Sequence, residues 1–230
     1  TTMPVLEPGR GKTKKGFAWA IARDDRPFGG SAPPAVVFRY APGRGQEHAR
    51  DLLGDYAGLL QCDGYAAYKS VSSAAAGPTL VFCWSHVRRE FVDLARSGTA
   101  PIAEEAMRRI AALYAVEADL RGKPPGVRRA ARQARSKPLV EDLFTWFEAQ
   151  LARLPSRGPT AEAIRYALNH RDGLKRFLDD GRIDIDSNVV ERAIRPLCLS
   201  RKNSLFASGD DGGERWAAVA SLVETCKLNG

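Results

Sequence analysis

The sequence has no run of about 18 apolar residues, and its start carries no basic-then-apolar signal pattern. Both absences argue against a membrane-spanning or secreted protein. Cysteine is scarce: Cys62, Cys83, Cys198 and Cys226 form no Cys-x-x-Cys pair and no disulfide-framework spacing. They read as reduced, mostly buried thiols of a cytoplasmic protein. Cys83-Trp84-Ser85-His86 is half of a zinc pattern, but no second pair follows at useful spacing, which argues against structural zinc. Gly11-Lys12-Thr13 resembles the end of a phosphate loop, yet Leu6 stands where that loop needs its first glycine, and a strand follows instead of a helix. There is no internal repeat and no low-complexity tract.

Acid is also in short supply. Against 35 Lys and Arg stand 27 Asp and Glu, a net charge of +8, with a pI near 9.5. That balance favours a polyanionic partner, nucleic acid first. The excess is concentrated in Arg121, Lys123, Arg128, Arg129, Arg132, Arg135 and Lys137, with no acid among them. This run is either a solvated basic segment or a phosphate-contacting one, and Arg128, Arg129, Arg132 and Arg135 are the candidates for contact.

What is present is ordinary for a globular chain: 230 residues, 44% hydrophobic and 27% charged, enough for one large core or two small ones. The chain opens on Thr1 without an initiator Met and stops soon after a helical pattern, which reads as a piece of a longer protein. Residues 1–6, 17–22 and 35–40 read as three strands with short connections, an antiparallel meander. A helix over 46–56 precedes Gly58–Cys62, an apolar stretch that reads as a strand buried on both faces inside a sheet. Residues 65–71 form a helix or loop, and Leu80–Trp84 a fifth strand. From there to Gly181 the periodicity is helical: Trp84, Val87, Phe91 and Leu94; Ile102, Ala106, Ile110 and Leu113; Leu139, Leu143, Phe147 and Leu151. Pro138 should break the basic stretch from the helix after it, and Thr160 can cap the next. A small strand over 203–207 and a last helix over 213–227, with Trp216, Ala220 and Val223 inward, complete the chain.

Two acids stand out in this order. Asp63 follows the apolar strand, where open α/β sheets place their chemistry, although Asp before Gly is also a common turn pair. Glu191 lies in Asp184-Ile185-Asp186-Ser187-Asn188-Val189-Val190-Glu191-Arg192-Ala193-Ile194-Arg195-Pro196. There Asp186 or Ser187 can cap a helix whose apolar stripe is Val190, Ile194 and Leu197, and Pro196 should end it after roughly three turns. Glu191 either stands at the lip of a cleft or only pairs with Arg195 at i+4. The fold class that results is α/β. Its element order is that of a ribonuclease H-like mixed sheet with a large all-helical insertion before the last acidic helix, dividing the chain as 1–86, 87–182 and 183–230. Such folds bring distant carboxylates to one sheet edge, where phosphodiester chemistry uses two Mg²⁺ ions roughly 3.5–4 Å apart.

The segments 60–65, 83–91 and 186–196, together with Gly9–Lys14, Arg201-Lys202-Asn203 and Gly212–Arg215, resemble the IS66 family of bacterial transposases along essentially the whole chain. The resemblance implies a DDE-type catalytic domain that cuts and joins DNA at insertion-element ends. Asp63 would be the second acid and Glu191 the third, both holding Mg²⁺, with Mn²⁺ able to substitute. Cys83 and His86 match a Cys-x-x-His signature; His86 would contact the scissile phosphate or only fix the first insertion helix. Asn188 would orient Glu191, bind a metal water or serve as a cap. Arg192, Arg195, Arg201 and Lys202 would meet DNA backbone. The family's first Asp falls just before Thr1, so the chain as given should be catalytically crippled, and no residue here takes its place. The resemblance also implies a bacterial cytoplasmic protein that oligomerises on DNA. Two alternatives remain open: a structure-selective nuclease on the same fold, and a DNA-binding remnant without catalysis.

Overall fold

The computed structural model describes residues 1–9, 11–73, 76–96, 98, 100–203 and 206–230, and their side chains apart from those of 200–203. Three strands, β1 (Thr2–Leu6), β2 (Thr13–Arg23) and β3 (Ala35–Ala41), form the antiparallel meander that the short connections predict. Met3 pairs with Gly16 and Ile21 with Val37, which fixes alternate side chains to opposite faces. Met3, Val5, Ala18, Val36, Phe38 and Tyr40 share one face. They bury against α9 (Asn188–Asn203) and α10 (Asp210–Asn229) through Ala193, Leu197 and Ala217. Trp19 and Ala41 face the other way, onto α1 (Gln46–Leu53) and α2 (Ala66–Ser72). Helix on sheet on helix results.

The free edge of β3 is covered instead of left open. The Val36 and Phe38 N–H groups donate to Thr225 Oγ1 at 3.1 Å and Ser221 Oγ at 2.8 Å, two hydroxyls one helical turn apart on α10. That closes an edge which would otherwise pair with another chain. The approach is close enough to need Gly213: a Cβ there would stand 2.5 Å from the Tyr40 ring. The inward set on α10 is Ala217 with Trp216 and Ala220, whereas Val223 is 43% exposed and does not join it.

The remaining strands do not complete a single mixed sheet. Among the described residues, β4 (Leu59–Cys62) and β5 (Thr79–Phe82) pair only with each other, in parallel, Cys62 opposite Phe82. The outer edge of β1 is taken by the chain after α9: Ala207 N–H donates to Pro4 O at 2.9 Å and Leu6 N–H to Ser208 O at 2.7 Å. The expected small strand over 203–207 thus survives only as this contact at Ala207, with Asn203 in α9 and residues 204 and 205 outside the described set. Nor is β4 buried on both faces, since Leu59 is 37% exposed.

The helical block comprises α3 (Trp84–Arg96), α4 (Pro101–Leu120), α5 (Pro125–Ala131), α6 (Lys137–Leu151), α7 (Pro159–Asn169) and α8 (Arg171–Lys175). Its core gathers Trp84, Phe91, Ile110, Leu113, Leu143, Phe147, Ile164 and Phe177, and extends to Val81 of β5 and to Ile183 and Ile185. Pro138 does not break the chain. A turn of wider π geometry over Arg132–Ser136 joins α5 to α6 just before Pro138, and this local widening lets the helix run on through a residue that has no N–H to give. Thr160 likewise lies inside α7, which opens on Pro159. Pro196 is also carried inside a helix, as α9 runs on to Asn203.

Candidate active site

The segment 184–187 is strapped to the ends of β4 and β5, and this seats the start of α9 beside them. Gln61 Nε2 donates to Asp184 O at 2.8 Å, Trp84 N–H to Ile185 O at 3.1 Å, and Ser187 N–H to Cys83 Sγ at 3.2 Å. Asp186 then starts α9 by accepting the Asn188 N–H at 3.1 Å and its side-chain amide at 2.7 Å. The cap role thus falls to Asp186, and the Asn188 side chain donates to it at the helix start.

From this start, Glu191 projects in the first turn of α9 with its side chain 42% exposed. Among the described residues its ion pair is with His86, Nε2 to Oε1 at 3.5 Å, and not with Arg195. His86 lies in the first turn of α3. Its pKa is raised, first by its interaction with the Cys83 sulfur, against the effect of burial, and further by negative charge on Glu191 and Asp63. Asp63 follows β4 in an Asx turn, Oδ1 accepting the Tyr65 N–H at 3.0 Å, and its carboxylate is exposed. Among the described residues Glu191 is the acid within ion-pair distance of this histidine, and the effect of Asp63 on it is the least of those named.

Cys83 is 1% exposed. Burial alone raises its thiol, but hydrogen bonding with His86, Ser187 and Ser85 outweighs it and brings the pKa down to about 7. Its sulfur therefore acts as an acceptor that ties the end of β5 to the start of α9.

Asp63 and Glu191 are donors of the kind that hard cations take. In number they fall short: among the described residues no group of three or more His, Cys, Asp or Glu converges to hold a metal ion.

The basic residues divide sharply. Arg128 and Arg132 are 2% and 0% exposed and cannot reach DNA. Arg132 holds Glu117 with Nε at 2.8 Å and Nη2 at 2.6 Å, and donates to Phe177 O and Asp180 O. Arg128 reaches Asp184 Oδ1 at 2.5 Å. Arg128 ties the helical block to the segment that leads into α9, and Arg132 ties helices within the block to one another, which corrects the reading of the basic run as a uniform contact surface. Arg129 is exposed, and Arg135 is exposed but paired with Asp119 at 2.7 Å. Arg192 and Arg195 are exposed on α9; the side chains of Arg201 and Lys202 lie outside the described residues.

Sequence reasoning assigned no role to Arg88, Arg89 and Arg96. They are exposed on α3 and line a groove of about 580 Å³ with Ser85, Tyr114 and Asn188. The signal was present, since the two adjacent arginines fall within the 83–91 motif. Tyr166 and His170 were also passed over, one turn apart on α7 and at its end.

Residues 1–215 match the family described as "Transposase IS66 family". The chain belongs to the IS66 transposase family. Three relatives of this IS66-family chain come from Sinorhizobium fredii (strain NBRC 101917 / NGR234). The "Uncharacterized protein y4qI" is 48% identical over all of the chain and 44% of the relative; "y4jD" is 40% identical over all of the chain and 46% of the relative. "y4hP" is 37% identical, again over the whole chain and 44% of its own length. The chain thus spans less than half the length of the curated relatives it matches. No solved structure matches it. No helix among the described residues is long and apolar enough to cross a membrane.

Proposed function

We propose that the chain is the catalytic part of a DDE-type transposase, cutting and joining DNA at insertion-element ends with Asp63 and Glu191 as ligands for Mg²⁺. The observation that supports this reading is the strapping of the segment before Glu191 to the ends of β4 and β5, after the first of which Asp63 stands, together with the His86–Glu191 pair at 3.5 Å. When bound, divalent cations would lower the pKa of an attacking water or 3′-hydroxyl and neutralise charge on the scissile phosphate. His86 pairs with Glu191 at 3.5 Å, and its raised pKa favours positive charge beside that carboxylate. Arg88 and Arg89, which line a groove with Asn188, offer guanidiniums to a DNA backbone, whereas Arg96 in the same groove pairs with Asp93 at 3.8 Å. Arg192 and Arg195, exposed on α9, are further candidates for backbone contact. The enzyme would act as an oligomer on paired DNA ends, in the bacterial cytoplasm.

The alternative of DNA binding without catalysis has one observation in its favour, the absence of a three-ligand cluster among the described residues. The test is Mg²⁺-dependent cleavage of labelled element-end DNA, comparing this chain with a version extended upstream of Thr1. Cleavage lost in both Asp63→Ala and Glu191→Ala, with DNA binding kept, is the expected result. Cleavage that survives Asp63→Ala refutes the assignment. DNA bound but cut by neither version selects the binding reading, and cutting without strand joining selects a nuclease.

A further inference from the structure

We propose that the groove between α3 and α4 binds a single, unpaired DNA strand. Ser85, Arg88, Arg89, Val92 and Arg96 line it from α3. Their spacing of i, i+3, i+4, i+7 and i+11 puts them on one stripe of that helix, beside the stripe of Trp84, Val87 and Phe91 that is buried in the core. From Ser85 to Arg96 the stripe runs about 16 Å. Ala111 and Tyr114, one turn apart on α4, complete the lining opposite. Asn188 joins at the Ser85 end, where the Ser187 N–H and Ser85 Oγ both meet the Cys83 sulfur.

This lining has two chemistries. Arg88 and Arg89 are exposed, and among the described residues no acid pairs with either. Asp93 is the one acid in the lining, and it is paired with Arg96 at 3.8 Å. Two guanidiniums therefore remain for phosphates. Beside them the surface is apolar. Val92 is half-buried and Ala111 exposed; Tyr114 is half-buried with its hydroxyl buried, so ring is what it presents. A duplex turns only its phosphate ridge to such a groove, which leaves the apolar part without a partner. An unpaired strand offers phosphates and base faces together, the combination by which proteins hold single strands. Every base has a face to lay on a ring, so the groove should show little sequence preference.

The inference rests on the proposed function only for DNA as the partner, and it needs neither a cation nor a carboxylate ligand. Fluorescence anisotropy with a labelled mixed-sequence strand and its duplex, in EDTA, reads it directly. The single strand should bind more tightly than the duplex. Arg88→Gln with Arg89→Gln should weaken strand binding by more than about ten-fold. It should also make the slope of log affinity against log salt shallower by about 1.4, the share of two phosphates on a single strand. Ala111→Glu, which sets a carboxylate on the apolar part with both arginines intact, should weaken it as well. Arg153→Gln with Arg157→Gln removes the same charge from the exposed loop between α6 and α7 and should change little. All these positions are exposed, so melting temperatures should stay within about 2 °C of wild type. Wild-type strand affinity in the Arg88, Arg89 variant, or an equal loss in the Arg153, Arg157 variant, overturns the proposal. So does a duplex that binds as tightly as the strand, or an Ala111→Glu variant that binds as wild type. The outcome is separate from the acids: cleavage that survives Asp63→Ala would sink their assignment and leave the groove standing, whereas a chain that binds neither DNA would sink both.

Discussion

Replacing Arg132 with Met should damage stability and leave DNA binding alone. The Arg132 guanidinium is fully buried, holds Glu117 through two bonds at 2.6 and 2.8 Å, and lies 5.2 Å above the Phe177 ring. It also satisfies the carbonyls of Phe177 and Asp180 at 2.9 and 3.2 Å. Met fills a similar volume but supplies no donor. The Glu117 carboxylate, only 9% exposed, would then face Arg128 alone at 3.5 Å. Breaking one partner out of a buried pair costs about 3–5 kcal/mol, because a charge is left without compensation. For a chain of this size each kcal/mol moves the melting temperature by about 2–4 °C, so Tm should drop by about 10 °C. Adding Glu117→Gln to Arg132→Met removes the stranded charge and should restore part of that loss. The assays are thermal melts and DNA affinity as a function of salt. Because Arg132 touches no phosphate in this reasoning, the slope of log affinity against log salt should not change. A variant that melts within 1 °C of wild type yet has a shallower salt slope would refute it, and return Arg132 to the DNA-contacting surface.

Two further outcomes follow from the sheet and its covering helix. Asp210 has its pKa lowered by Lys14 first, at 2.7 Å, and then by the Tyr40 hydroxyl. A depressed carboxylate contributes stability that is present above its unfolded pKa and lost as pH falls through the folded value. The melting-temperature advantage of wild type over Asp210→Asn should therefore hold near neutrality and shrink below about pH 4; a difference that is constant from pH 7 to pH 2 counts against this pair. Ser221→Ala with Thr225→Val strips the partners from the Val36 and Phe38 N–H groups. It should cost about 1–3 kcal/mol for each donor left bare, and should raise the tendency to associate through β3, measured by light scattering. Unchanged stability in the double variant would mean that water replaces both hydroxyls.

Periodicity made part of this architecture legible before any coordinates, and the misses have identifiable causes. The strand alternation of Val36, Phe38 and Tyr40 and the helical stripe of Trp84, Val87 and Phe91 were readable because one face of each is fully apolar. In α6 the buried set is Val140, Leu143, Phe144 and Phe147, one step round from a stripe begun at Leu139, which is 37% exposed. Both rows are apolar, so periodicity alone could not choose between them. Pro196 was misjudged for a different reason. A proline inside a helix costs about 3 kcal/mol locally, but Ala193 and Leu197 on either side of it are buried against the sheet, and tertiary contact outweighs that local cost. Strand pairing was the least readable feature, since which edge β1 offers depends on a backbone contact with Ala207 and Ser208, far along the chain.

The candidate site divides along the same line. Asp63 and Glu191 could be picked out by residue type and by their places after a strand and at a helix start. What holds the segments around each of them could not, because Gln61 to Asp184 O, Ser187 N–H to Cys83 Sγ and Tyr166 to Asp63 O are all contacts with main chain or between remote segments. Charge was the most misleading cue. Counting arginines treats Arg128, Arg129, Arg132 and Arg135 as equivalent, although a guanidinium with a buried carboxylate within reach is a core residue and one without is free to meet a phosphate. Glu117, on α4, decides between these fates for Arg128 and Arg132, and nothing in the local sequence of the basic run points to it. By the same criterion Arg88 and Arg89, exposed on the groove, are better candidates for DNA contact than the two buried arginines that composition suggested.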